Sequence, residues 1–255
     1  MGEAKRKRRR HAAVLAAHPW CIYCGGIHPA DTIEHMPPIA MFDDRQRPRG
    51  LEFSTCRECN NGTRLSDTVA ALLARAYPDA PKPDDLERLL RGVRNNVPGL
   101  LEEMHLGAAG HRDIPSMPAD AGVLRANGPI LTKHIGVFGA KLGLALHFEA
   151  HGLSVPPAGG VQTIFFTNAS ALRGELPAEL IQLMPTPRTL KQGKREVGGQ
   201  FKYSWALTEE KKHSTFYATF RESFAIAAVT ALDRSEFLER NADKYPITVP
   251  GAFKA

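Results

Sequence analysis

The chain has 255 residues, a formal net charge of +6 and 43% hydrophobic residues. A chain of this length can bury a sizeable core and form one large domain or two small ones. No apolar run is long enough to span a membrane, because Lys133 and Lys141 interrupt the best candidate, residues 130–148. The basic N-terminus is not followed by an apolar stretch, so we expect no secretion signal and a cytoplasmic protein.

A block of basic residues lies near the N-terminus, within a segment from Gly2 to Ala17 that contains no Pro and much Ala. This composition predicts a basic helix that His18-Pro19 ends. The block can neutralise several phosphates, which would make binding to nucleic acid salt-dependent. The alternative is a solvated, partly disordered arm. The residues of the block are Lys5, Arg6, Lys7, Arg8, Arg9 and Arg10.

Two Cys-x-x-Cys pairs contain all the cysteines of the chain, and residues 25–55 separate them. Four thiolates in two such knuckles are the ligand set of a closed, tetrahedral structural zinc site. The alternatives are a reactive dithiol pair or two disulfides in an exported protein. A redox pair normally opens a helix after a strand, whereas these pairs frame one hairpin, so we favour structural Zn²⁺. The cysteines are Cys21, Cys24, Cys56 and Cys59.

Short elements are predicted between and after the knuckles. A strand around residues 31–34 and a second one over residues 51–55 would form a hairpin, and the second strand leads into the second knuckle. Ser66-Asp67 then predicts the cap of a helix from Thr68 to about Tyr77. Knuckle, hairpin, knuckle and helix is the order of a treble-clef zinc finger.

The rest of the chain predicts an α+β region with a long helix against a mostly antiparallel sheet. We expect a helix over Asp84–Arg94 and a long buried helix over Ile130–His151, followed by strands. Alternation from Phe201 to Leu207 predicts a half-buried strand with its aromatic side chains inside. The predicted strands cover residues 161–167, 201–207, 215–220 and 223–232. The predicted divisions are a basic arm (1–19), a zinc domain (20–78), a helical or irregular connector (79–128) and an α+β domain (129–255).

Polar residues beside the knuckles are the candidate catalytic and metal-binding residues. Glu34-His35 lies at the end of the first predicted strand, and Asn60-Asn61 follows the last cysteine. A neutral histidine can take a proton from water, while a carboxylate and a carboxamide can hold one divalent cation. These are the groups that phosphodiester hydrolysis needs. Hard oxygen ligands favour Mg²⁺ or Mn²⁺.

Residues 20–67 resemble the HNH (ββα-metal) endonuclease family, in the variety with two Cys-x-x-Cys zinc knuckles. They are similar to bacterial HNH proteins that read Cys-x-x-Cys-Gly, then Glu-His-x-Pro-Pro, then Cys-x-x-Cys-Asn-x-Gly. The resemblance implies that His35 is the general base, and that Glu34 and Asn60 bind the catalytic metal, with Asn61 as the alternative to Asn60. It also implies that the four cysteines hold the structural zinc. The implied activity is metal-dependent cleavage of DNA, with RNA left open.

Two positions depart from the family pattern. Leu51 stands where the family often has an Asn that holds the loop carrying the histidine, and Thr63 stands where it often has a Lys. Arg57 and Arg64 are the candidate phosphate contacts beside the second knuckle. After Ile130 the chain resembles the C-terminal region of the same proteins more weakly. The alternatives are a non-catalytic zinc finger that binds nucleic acid or protein, and a chain whose α+β region is the working part.

Overall fold

The structure, a computed structural model, describes residues 3–76, 83–105, 124–207, 213–238 and 245–253. The side chains of residues 3, 4, 7 and 83 are outside this description, so nothing further is said of the Lys7 side chain. Part of the predicted connector and Tyr77, the predicted end of a helix, also lie outside the described residues. The predicted α+β class is confirmed, since helices are combined with antiparallel sheets.

The N-terminal half of the structure contains a basic helix, a two-stranded hairpin and two further helices. Three short 3-10 helices occupy Ile22–Cys24, Ile39–Met41 and Asp43–Arg45. The two strands are antiparallel, and His35 lies directly opposite Glu52. The longer elements are α1 (Glu3–Ala17), β1 (Thr32–His35), β2 (Glu52–Thr55), α2 (Arg57–Gly62) and α3 (Arg64–Arg75).

Helix α1 packs on the hairpin, so the basic segment is a docked helix in the described structure. The hydroxyl of Ser54 donates to the carbonyl of Val14 at 3.2 Å. Arg10 and Glu52 form an ion pair at 3.1 Å. Both contacts join the second turn or later turns of α1 to strand β2, which places Arg10 beside the end of the hairpin.

The predicted start of the helix at Thr68 is wrong, because α3 already begins at Arg64. Only Thr63 separates α2 from α3. Its buried hydroxyl does not cap α3 by accepting a hydrogen bond from a backbone amide. The hydroxyl instead donates towards the carbonyls of Cys59 and Asn60. The chain therefore continues helically through the predicted cap. Ser66 and Asp67 lie inside the helix, and their side chains contact the long helix of the C-terminal half instead.

The second half is a long helix packed on a five-stranded antiparallel sheet with the strand order β6-β7-β8-β3-β9. The helices are α4 (Pro83–Asn96), α5 (Leu100–Met104), α6 (Pro129–His151), α7 (Asn168–Leu172), α8 (Ala178–Leu183) and α9 (Ser235–Leu238). The sheet strands are β3 (Gly160–Thr167), β6 (Lys202–Leu207), β7 (His213–Phe220), β8 (Phe224–Ala231) and β9 (Ile247–Thr248). A separate hairpin contains β4 (Lys191–Gln192) and β5 (Arg195–Glu196).

Helix α6 lies between the sheet and helix α3. A Cβ atom added at Gly143 would be 2.8 Å from Val161 of β3, so a larger residue there would push the helix off the sheet. The opposite side of α6 contacts α3 through Ser66 and His134, at 3.0 Å. One continuous cluster of buried residues therefore includes side chains from both halves of the chain.

The predicted alternation along β6 is only partly observed. Tyr203 is buried, but so is Ser204, while Leu207 is 40% exposed. Strand β6 lies at the edge of the sheet, where it pairs with β7 on one side and makes a single bridge from Tyr203 to Arg188 on the other. No described helix is both long enough and apolar enough to cross a membrane.

Candidate metal and nucleic-acid site

The four cysteines meet in one buried cluster. Their sulfur atoms all lie within 4.8 Å of one another, and none forms a disulfide. A zinc ion with four thiolates at 2.3 Å requires sulfurs about 3.8 Å apart, so the cluster fits a tetrahedral ion. Hydrogen bonding by Cys59 lowers the pKa of Cys21 to about 5, as expected for sulfurs close enough to share a proton. The predicted zinc site is thus supported by its ligand geometry.

The first knuckle turns through Gly25, whose φ of 65° is a conformation that favours glycine. A Cβ atom there would also be 2.8 Å from the carbonyl oxygen of Val155. The backbone amide of His28 donates to the sulfur of Cys24 at 3.4 Å. The first knuckle therefore packs closely against the C-terminal half of the chain.

His35 ends strand β1 and lies beside a carboxylate of the facing strand. Its Nε2 atom is 3.9 Å from Oε1 of Glu52, whose other oxygen is 3.1 Å from Arg10. The centroids of the His11 and His35 rings are 6.2 Å apart. At this distance from His35 Nε2, the negative charge of Glu52 can stabilise the imidazolium that forms when His35 takes a proton. The position of His35 is suited to a general base.

Glu34 points to the other side of the hairpin, where it shares one ammonium group with Asp67. The Nζ atom of Lys141 lies 3.3 Å from Oε2 of Glu34 and 2.7 Å from Oδ2 of Asp67. Lys141 is fully buried and its ammonium is 5.9 Å from the centre of the Tyr23 ring. Burial raises the pKa of Glu34 to about 7, although Lys141 lowers it. Burial also raises the pKa of Asp67. For both carboxyl groups the effect of burial on the pKa exceeds the opposing effect of Lys141.

Asn60 lies in α2 and faces the same strand. Its Nδ2 atom donates to the hydroxyl of Thr32 at 3.1 Å, which directs the carboxamide towards β1. Asn60, Glu34 and His35 line one cleft of about 300 Å³, together with Arg64 and Asp67. The structure thus brings the three predicted catalytic residues to one cleft. Asn61, the alternative ligand, is not among the residues that line it.

A second cleft, of about 1,200 Å³, adjoins the first one and also has His35 in its lining. Its walls carry six arginines and one carboxylate, that of Glu52. Four of these arginines were not among the predicted contacts. We call it the arginine cleft; its arginines are Arg6, Arg10, Arg45, Arg47, Arg49 and Arg195.

The other predicted nucleic-acid residues lie at different places. Arg64 lines the smaller cleft. Arg57 is exposed on α2 and lies 3.5 Å from Asp31. The described side chains of the basic block that line neither cleft, those of Lys5, Arg8 and Arg9, are exposed on α1.

The loop that follows His35 is held by an arginine, Arg47, which lies close to Leu51 in sequence. Leu51 is buried, with φ at 50°. The Arg47 guanidinium donates to five backbone carbonyls, at distances of 2.7–3.2 Å. Burial lowers the pKa of Arg47 to about 10, which leaves it charged at neutral pH. The accepting residues are Met36, Pro37, Pro48, Gly50 and Leu51.

Besides Arg45, Arg49 and Arg195 of the arginine cleft, sequence reasoning missed four residues of this region. Glu52 could have been found from the hairpin register, because residues directly opposite on two strands point to the same face. The sequence pattern predicts a helix cap at Asp67 and marks Lys141 only as an interruption of an apolar run. Arg47 gave no signal, since an arginine in a polar loop is ordinarily exposed.

The cleft offers hard oxygen donors for a divalent ion. Among the described residues, the four cysteines are the one group of three or more His, Cys, Asp or Glu ligands that lie close enough to hold a metal. A second metal would therefore rely on one or two protein ligands, which is typical of Mg²⁺ with its retained waters and substrate phosphates. Glu34 and Asn60 fit this pattern. The Lys141 ammonium, however, already neutralises part of the charge on Glu34.

Comparisons of the chain with models of protein families, with curated proteins and with solved structures find no match. The site geometry is consequently the basis for a functional proposal.

Proposed function

We propose that this protein is a metal-dependent HNH-type endonuclease that hydrolyses phosphodiester bonds in DNA. The observation that carries the proposal is the position of His35, which lines both the cleft with Glu34 and Asn60 and the arginine cleft. A general base is thus adjacent to oxygen ligands on one side and to groups that bind phosphates on the other.

In the proposed reaction, His35 takes a proton from a water molecule whose oxygen attacks the phosphorus atom. The new phosphorus–oxygen bond forms as the bond to the leaving oxygen of the sugar breaks, and that oxygen takes a proton from solvent. Glu52 stabilises the imidazolium that forms on His35. Arginines at the border of the cleft neutralise the phosphate.

Glu34 and Asn60 would hold Mg²⁺ or Mn²⁺. A divalent ion at that position would supply charge stabilisation for the phosphate oxygens. The four cysteines would hold Zn²⁺, whose role is structural: it fixes the second knuckle and hence the start of α2, where Asn60 lies.

Nicking of supercoiled plasmid tests the proposal. Wild-type protein is incubated with Mg²⁺, with Mn²⁺ and with no added divalent ion, beside His35→Ala. His105→Ala is the matched control, because His105 is exposed and lines neither cleft. We expect nicking that needs the added ion and that His35→Ala reduces by at least about 100-fold. Equal activity of the two histidine variants would contradict the proposal.

The second candidate is a non-catalytic zinc module that binds nucleic acid or protein. The ion pair between Lys141 and Glu34 favours it, because the carboxylate predicted to bind a metal already has a cationic partner. Salt-dependent DNA binding without nicking under either ion would support this candidate against the nuclease.

A further inference from the structure

The arginine cleft has walls from three separate parts of the chain. Helix α1 contributes Arg6 and Arg10, and the loop between β1 and β2 contributes three more arginines. The third wall comes from the C-terminal half, where the β4–β5 hairpin contributes Gln192 and Arg195. This hairpin is far from the knuckles in sequence, and neither the sequence patterns nor the proposed mechanism gives it a role.

The hairpin is fixed to the loop rather than projecting freely. The side-chain oxygen of Gln192 accepts from the backbone amide of Arg49 at 3.2 Å. Leu190 and Val197, which flank the two strands, are buried and their backbones are bonded at 3.3 Å. The apolar base thus holds the hairpin in place, while Arg195 is exposed at the cleft.

Charge on the cleft walls is strongly unbalanced. Six arginines line the cleft beside one carboxylate, Glu52, which is already paired with Arg10. The Arg47 guanidinium donates to backbone carbonyls, so it contributes positive charge to the cleft rather than a bidentate contact with the ligand. Like charges collected in a concave surface repel one another and focus a positive potential, so an anion in the cleft lowers the free energy of the arrangement. Every cationic side chain of the lining is an arginine, and the planar guanidinium matches phosphate oxygens in bidentate geometry.

We propose that the β4–β5 hairpin is a nucleic-acid-binding element, which forms with α1 and the loop between β1 and β2 the three walls of a groove for a phosphodiester backbone. Arg195 and Arg49 contact phosphates that flank the one at His35. The identity of the ligand rests on the proposed function, since His35 also lines the groove. Because these contacts are to phosphates, they contribute affinity and fix the position of the protein along the nucleic acid, but they do not select a base sequence.

Binding is measured separately from cleavage, by fluorescence anisotropy of a labelled DNA duplex in the His35→Ala background without added Mg²⁺ or Mn²⁺. In that background Arg195→Gln and Arg49→Gln are compared with Arg91→Gln. Arg91 is an equally exposed arginine on α4, paired with Glu87 and absent from the cleft lining. Zinc content confirms that each variant keeps its knuckles.

We expect Arg195→Gln and Arg49→Gln each to weaken binding and to lower the slope of log affinity against log salt by about 1. Arg91→Gln should leave both quantities unchanged. Identical affinity and slope for Arg195→Gln and Arg91→Gln would overturn the inference. Competition by polyglutamate as strong as that of DNA would also overturn it, since the ligand would then be an acidic protein segment.

The two proposals fail separately. Nicking by the wild-type protein together with hairpin variants that bind normally would refute the hairpin and leave the nuclease intact. Hairpin-dependent binding without any nicking would support the nucleic-acid groove and refute the nuclease.

Discussion

Replacing Lys141 with methionine tests the buried ion pairs directly. Its ammonium is fully buried, and it is the shared partner of Asp67 at 2.7 Å and of Glu34 at 3.3 Å. Methionine keeps most of the apolar stem and removes the charge. Because the variant leaves two carboxylates in an interior position without their cation, we expect it to lower the free energy of unfolding by about 3–5 kcal/mol.

The loss should depend on pH in a defined direction. The pKa of Glu34, about 7 in the wild type, is raised by burial and lowered by Lys141, so it rises further in the variant. A carboxyl group with a raised folded pKa stabilises the fold below its unfolded pKa, and that contribution is lost as pH rises through the folded pKa. The destabilisation by Lys141→Met should therefore grow above pH 7. The growth is up to about 1.4 kcal/mol per pH unit for each proton that the folded variant keeps and the folded wild type releases.

Urea-induced unfolding with zinc present gives the free energies. Lys133→Met is the matched control, because Lys133 is exposed on the same helix and should change stability by no more than about 0.5 kcal/mol. Asp67→Asn added to Lys141→Met should recover part of the loss, since it removes one uncompensated charge. A Lys141→Met variant as stable as Lys133→Met, or one whose deficit shrinks with rising pH, would refute the reasoning.

Three further predictions concern the zinc, the loop and a buried histidine. Metal analysis should find one zinc per chain, and Cys56→Ser should lose it together with the thermal unfolding transition of the native protein. Arg47→Met should lower the free energy of unfolding by about 2 kcal/mol or more, because buried carbonyls lose a charged donor. Arg47→Lys should not restore the lost stability, because an ammonium cannot reproduce the donor geometry of a guanidinium. Calorimetry measures the stability of both variants, and plasmid nicking measures their activity. Burial lowers the pKa of His147 to about 4 in the folded protein, from about 6.5 in the unfolded chain. The stabilising contribution of the neutral His147 is therefore lost as pH falls below about 6.5. Relative to His147→Gln, the wild type should lose about 2 kcal/mol between about pH 7.5 and pH 5 in urea unfolding; a constant difference would contradict the prediction.

Much of the fold was predictable because its patterns are local. The knuckle cysteines, the flanking strands and the long apolar segment that forms α6 each depend on residue type and spacing within a short window. The start of α3 was not predictable in the same way. Ser66 and Asp67 have the side chains of a helix cap, but contacts to α6 decide their place, and α6 is distant in sequence.

The candidate site was predictable to the extent that it is formed by neighbouring residues. Glu34, His35 and Asn60 come from motifs beside the cysteines, and the structure brings them to one cleft. Lys141 could not be assigned to the site, since a lysine within an apolar helix gives no indication of its partner. The same holds for Arg195, whose hairpin reaches the cleft through tertiary packing alone.

The central claim is that His35 activates water for phosphodiester cleavage. The most direct measurement is the single-turnover rate of cleavage of a labelled DNA duplex with Mg²⁺ or Mn²⁺, for the wild type and for His35→Ala at matched zinc content. The account predicts a metal-dependent rate that falls by about 100-fold or more in the variant. Cleavage at the same rate by both proteins, or none by either under any divalent ion, would contradict it.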